Sequence, residues 1–123
     1  MKIIHTSNAP EAIGPYSQAM VAGGLVFTSG QIAINPASGA VEATTIEEQT
    51  EQVCKNIAAV LEAAGSSIDK VVKTTCFLQS MEDFAAFNAV YGKYFTGKPA
   101  RSCVAVKTLP KNVLVEVDTI AEQ

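Results

Sequence analysis

The order of patterned segments predicts an α+β fold, with one mixed sheet and two helices on one of its faces. Three observations carry this. Apolar residues recur at helical spacing around Val53–Ala64 and again around Phe84–Phe95. Short runs rich in β-branched residues stand before, between and after these two segments. Gly, Pro and Asn mark the boundaries between them. The chain has 123 residues, a length that fits one domain and needs no disulfide or metal to bury a core. No stretch reads as a linker, a repeat or a low-complexity tract, so residues 1–123 read as a single domain.

Taken in order, Ile3 to Thr6 reads as an edge strand. Asn8 to Pro15 contains Pro10, Gly14 and Pro15 and reads as a loop. Ser17 to Ala22 and Leu25 to Ser29 read as two strands joined by a tight turn at Gly23-Gly24. Asn35 to Gly39 is a second turn. Thr45 and Glu48 have the spacing of a capping box, and they start a helix with the stripe Val53, Ile57, Val60, Leu61, Ala64, ended by Gly65. Val71 to Leu78 is a buried strand. Ser80 and Asp83 repeat the capping pattern before a second helix with the stripe Phe84, Phe87, Tyr91, Phe95, and Gly97-Lys98-Pro99 ends it. Ser102 to Val106 and Val113 to Ala121 are the last strands, joined around Leu109–Asn112. The final strand has apolar residues on both faces, Leu114 and Ile120 on one, Val113, Val115 and Val117 on the other. Two helices cover one face only, which predicts that a second copy of the chain covers the other.

Bulk properties exclude several function classes. Net charge is −3 and the pI about 5.0, with no basic run, which argues against nucleic acid. No apolar stretch approaches the roughly 20 residues of a membrane helix, and the first residues lack the pattern of a secretory leader. The expected location is the cytoplasm. Cys54, Cys76 and Cys103 are odd in number and widely spaced, and His5 is the only histidine. Reduced thiols are expected, with no metal site.

Chemistry has few candidates. Strand alternation points Arg101 and Cys103 to one side and Ser102 and Val104 to the other. In the last strand Glu116 and Asp118 lie opposite the valine row, on the face without helices. An acid and an arginine near one interface make a candidate site for a small anion. Each candidate also has a purely structural reading. Arg101 reads equally as a rim salt-bridge residue and Glu116 as its partner. Asn88 reads as a backbone bridge, Cys103 as a small core residue, and Tyr16 as a packing aromatic. Nucleophilic catalysis by Cys103, Ser29 or Ser102 lacks the neighbouring base it needs. No phosphate-loop or dinucleotide-binding pattern is present.

Four runs add more: Ala12-Ile13-Gly14-Pro15-Tyr16-Ser17-Gln18, Phe27-Thr28-Ser29-Gly30-Gln31, Ala100-Arg101-Ser102-Cys103-Val104 and Leu109-Pro110-Lys111. With these the chain resembles, over nearly its whole length, the RidA/YjgF family, in its imine-deaminase branch. The resemblance implies a chorismate-mutase-like fold and a homotrimer whose three sheets form a central barrel, with clefts between subunits. It implies hydrolysis of 2-iminobutanoate and 2-iminopropanoate, released by pyridoxal-phosphate dehydratases, to 2-keto acids and ammonia without metal or cofactor. It assigns Arg101 to the substrate carboxylate, Cys103 to backbone contact with the ligand, Glu116 to the attacking water, and Tyr16, Ser29, Gly30 and Asn88 to the cleft lining. Some relatives are described as translation inhibitors or ribonucleases, and a non-catalytic sensor of small carboxylates would use the same arginine. The stretch from Tyr91 to Arg101 is shorter than in many members, which bears on side-chain preference.

Overall fold

Residues 1–123 are described by a computed structural model. The two helical stripes form α1 (Ile46–Ala63) and α2 (Phe84–Tyr94). The β-branched runs form strands β1 (Lys2–Ile4), β2 (Ala19–Ala22), β3 (Leu25–Thr28), β6 (Val71–Leu78), β7 (Ala100–Ala105) and β8 (Val115–Glu122). These pair in the order β1-β2-β3-β8-β6-β7, antiparallel throughout except for the parallel β6–β7 pair at one edge. The turn at Asn35–Gly39 joins two short strands that the sequence did not announce, β4 (Ile34–Asn35) and β5 (Ala40–Val41).

Local chemistry sets the ends of α1. The Thr45 hydroxyl accepts from the Glu48 amide at 3.2 Å, and the Glu48 side chain accepts from the Thr45 amide, which completes the capping box. At the other end Gly65 takes φ +78°, and the amides of Ser66 and Gly65 reach back to Leu61 and Glu62. That is a Schellman ending, which favours a residue without Cβ. The second helix departs from expectation. Ser80 caps the Glu82 amide at 3.1 Å but opens only a 3-10 turn over Met81–Asp83. Asp83 makes no capping hydrogen bond, and α2 begins one residue later. The last strand starts at Val115 rather than Val113, because a 3-10 turn over Pro110–Asn112 occupies the chain up to that point.

Strand register fixes which residues share a face. Cys76 lies opposite both Cys103 and Val117, and Thr74 lies opposite Arg101. Val26, Cys76, Leu78, Val115, Val117 and Ala121 are buried against Val53, Ile57, Val60 and Leu61 of α1. The other face has no cover within the chain. Register links Ile3 to Met20, Met20 to Phe27 and Phe27 to Ile120 in one apolar row across four strands. Ile3 is 65% and Phe27 41% exposed, as is Val104 at 46% on the edge strand β7. The expectation of a large uncovered face therefore holds.

One buried polar residue shapes the loop that later forms a cleft wall. Gln18 is 2% exposed. Its carbonyl accepts from the Thr6 amide at 2.7 Å, and its amide donates to the carbonyls of Thr6 (3.0 Å) and Pro10 (2.8 Å). Gln18→Ala leaves these groups unpaired, at a cost of about 2–3 kcal/mol. We expect a drop in Tm on the order of 10 °C, read by thermal melting.

Candidate functional site

Arg101 sits on the edge strand β7, on the helix side of the sheet. Its guanidinium donates to the Asn88 side-chain carbonyl at 2.7 Å. It lies 5.0 Å from the Tyr91 ring centroid and 5.4 Å from that of Phe84. No lysine or arginine forms a salt bridge within the chain, so Arg101 has no carboxylate partner. Its remaining donors border a cleft of about 400 Å³ with Asn88, Tyr91, Phe95 and Lys98. The backbone at Lys98 is left-handed, φ +52°, between Gly97 and Pro99.

Glu116 lies elsewhere. Register puts it beside Val117 and opposite Phe77, hence on the uncovered face. This sets aside the reading of Glu116 as the salt-bridge partner of Arg101 within the chain. They occupy opposite faces of the sheet, two strands apart, and no hydrogen bond or ion pair joins them. Alternation along each strand was legible, but relating β7 to β8 required the intervening register of β6. Glu116 borders a second cleft of about 540 Å³ with Glu11, Ile13, Tyr16, Gly30 and Lys111.

The chain folds closely over Glu116. Beyond the end of β3, Gln31 exchanges both backbone hydrogen bonds with Val117, at 2.8 and 3.1 Å. That bridge holds Gly30 against the Glu116 side chain. A Cβ on Gly30 would come within 2.8 Å of the Glu116 carboxyl carbon and 3.0 Å of its Cγ. Gly30→Ala therefore forces the carboxylate out of place. We expect it to reproduce most of the kinetic loss of a Glu116 variant, with far-UV circular dichroism unchanged.

Burial raises the Glu116 carboxyl above the ordinary carboxylate range, and the Asp118 charge raises it further. Asp118 is also raised by burial, against hydrogen bonding from Thr75 and the charge of Lys73. Burial likewise raises the Cys103 thiol, partly offset by Arg101, and Cys54 and Cys76 are pushed up to about 12. All three shifts favour the neutral thiol, the opposite of what an activated nucleophile needs.

The other sequence candidates divide between the two clefts. Tyr16 is 53% exposed on the wall beside Glu116, in the loop held by Gln18. Ser29 borders the same cleft, but its hydroxyl donates to the Ser17 carbonyl at 2.6 Å, so its proton is committed to the fold. Asn88 is with Arg101, and Cys103 follows two residues along the same face. Sequence reading missed Phe84 and Tyr91 around the guanidinium, although Phe84, Asn88 and Tyr91 fall at helical spacing. It also missed Glu11 in the Glu116 cleft, which carries no signal beyond charge, and gave Lys111 no role although it ends the Leu109-Pro110-Lys111 run.

The family described as Endoribonuclease L-PSP matches residues 6–123. The chain belongs to the RidA/YjgF family. AldR of Lactococcus lactis, named as a candidate regulator, is 56% identical over 99% of this chain and 98% of its own. A Salmonella typhimurium protein named 2-iminobutanoate/2-iminopropanoate deaminase is 48% identical over 98% of this chain and 96% of its own. Among solved structures, Escherichia coli TdcF with bound serine superposes with a TM-score of 0.95 at 41% identity, covering 100% of this chain and 99% of TdcF. The RidA/YjgF fold expected from the signature runs is therefore the fold observed. No helix is long and apolar enough to cross a membrane.

Proposed function

We propose that this RidA/YjgF protein hydrolyses small 2-imino acids to 2-keto acids and ammonia, in clefts formed between copies of the chain in a homotrimer, in the cytoplasm. The observation that carries this is Arg101, an oriented guanidinium with no acid of its own. A guanidinium donates two parallel hydrogen bonds to a carboxylate, and the substrate carboxylate fills that vacancy. The serine held by TdcF is a ligand of the same class, a small α-carboxylate. The Salmonella relative's name supplies the reaction.

Glu116 lies on the wrong face to act beside Arg101 of its own chain. A second copy covering the open sheet face brings its Glu116 and Tyr16 toward the Arg101 edge of the first, which also buries Phe27 and Val104. In that cleft Glu116 orients and deprotonates water for attack on the imine carbon. The C=N bond becomes a carbinolamine, whose collapse forms the keto C=O and releases ammonia. The iminium carbon is already electrophilic, so the reaction as proposed needs no metal or cofactor.

A non-catalytic sensor of small carboxylates would use the same Arg101, and the name of the Lactococcus lactis relative favours that reading. The test generates 2-iminobutanoate in situ with a threonine dehydratase and follows 2-ketobutyrate release against trapping by semicarbazide. Faster release with less trapped product supports the deaminase. Unchanged rates together with saturable 2-ketobutyrate binding would replace it with the sensor.

A further inference from the structure

We propose that Tyr91 is a positioning residue: its ring, locked from behind by Thr74, sets the plane of the Arg101 guanidinium and thereby the protein's affinity for a carboxylate. The inference rests on the reading of Arg101 as the carboxylate holder.

The geometry comes from two registers. Phe84, Asn88 and Tyr91 are spaced by four and three residues, so they form one line along α2. Thr74 stands opposite Arg101 on the neighbouring strand, beneath that line. The side chain of an edge-strand arginine is long and has many rotamers, and a single hydrogen bond to Asn88 leaves the guanidinium free to turn about it. Two further surfaces remove that freedom, the rings of Tyr91 at 5.0 Å and Phe84 at 5.4 Å. Both distances fall within the range of cation–π attraction.

Tyr91 is the better fixed of the two. It is 7% exposed, and its hydroxyl shares a 2.7 Å hydrogen bond with the fully buried Thr74 hydroxyl. Thr74 in turn accepts from the Cys76 thiol at 3.8 Å. The ring stacks on Phe95 with centroids 4.5 Å apart and 24° between planes, and it meets Phe87 at 5.3 Å. Burial raises the Tyr91 hydroxyl, so it stays protonated and the lock persists through neutral pH. The guanidinium thus rests on a surface that cannot itself rotate.

The experiment compares Tyr91→Leu, Tyr91→Phe and Phe87→Leu. Phe87→Leu removes a buried ring that touches Tyr91 and not Arg101, and so controls for lost packing. By calorimetry, Tyr91→Leu is expected to raise the Kd for 2-ketobutyrate about tenfold, and Tyr91→Phe, which keeps the ring but loses its hydrogen bond to Thr74, about threefold. Phe87→Leu is expected to lower Tm while leaving that Kd unchanged. In the ligand-free protein, nitrogen-15 spectra of the Arg101 side chain should show restricted guanidinium rotation in wild type and averaging in Tyr91→Leu. Equal rotation in both, or equal loss of affinity in Phe87→Leu and Tyr91→Leu, would overturn the proposal. If wild type binds no keto acid and hydrolyses no imine, the reading of Arg101 fails, and the rotation measurement still decides the role of Tyr91.

Discussion

Arg101→Ala should lower kcat/KM for 2-iminobutanoate by about 10²–10⁴-fold, because two charge-assisted hydrogen bonds to the substrate carboxylate disappear together. Arg101→Lys should recover little of this. A lysine keeps the charge but presents a point donor, which cannot span both carboxylate oxygens while donating to Asn88 and lying against the rings in one plane. Arg101 is exposed on an edge strand and makes one hydrogen bond within the chain, so the fold should survive its removal. Loss of activity with an unchanged melting curve is the expected pair of results. Steady-state kinetics with in-situ substrate and thermal melting measure them, and an active Arg101→Ala enzyme would contradict the assignment.

Glu116→Gln should reduce kcat by about 10²–10⁴-fold, the usual contribution of a positioned base, while leaving 2-ketobutyrate binding nearly unchanged. Its pH dependence carries the sign. The proposed base acts as carboxylate, so the wild-type rate should rise with pH through the Glu116 pKa. Burial and the Asp118 charge place that pKa above the ordinary carboxylate range. Glu116→Gln should remove this limb, and Asp118→Asn should move it to lower pH. Stability runs the other way. A carboxyl whose pKa is raised on folding costs stability when charged. That cost is absent below the ordinary glutamate pKa and fully present above the raised one. Glu116→Gln should therefore melt at higher temperature than wild type near neutral pH, with the gain fading as pH falls through that window. A residue whose loss stabilises the fold and stops the reaction is held for chemistry rather than for packing.

Much of this was legible in residue patterns, and the exceptions have physical reasons. The stripes of α1 and α2, the Gly23-Gly24 hairpin and the Gly65 ending rest on local rules, and the chain obeys them. The start of α2 was less legible than that of α1, because Ser80 has two local options and takes the tighter 3-10 turn. Both faces of β8 were correctly separated by alternation. The relation between Arg101 and Glu116 was not, since it depends on the Cys103–Cys76–Val117 register across three strands. Gly30 was found only through its family run. Its reason, the Glu116 side chain lying where a Cβ would stand, is a contact between residues far apart in sequence. Tyr91 was read as core, which it is, and its second face toward Arg101 appeared only with the strand beside it.

The central claim is that a working cleft takes Arg101 from one copy and Glu116 from another, and subunit mixing tests it directly. Arg101→Ala and Glu116→Gln proteins, each nearly inactive, are co-refolded in equal amounts. If the two residues come from different copies of a trimer, about a quarter of all clefts receive both native side chains. Activity should then recover to about a quarter of wild type. If both residues of a cleft came from one chain, no mixed cleft would be intact, and activity staying at the level of the separate variants would contradict the account.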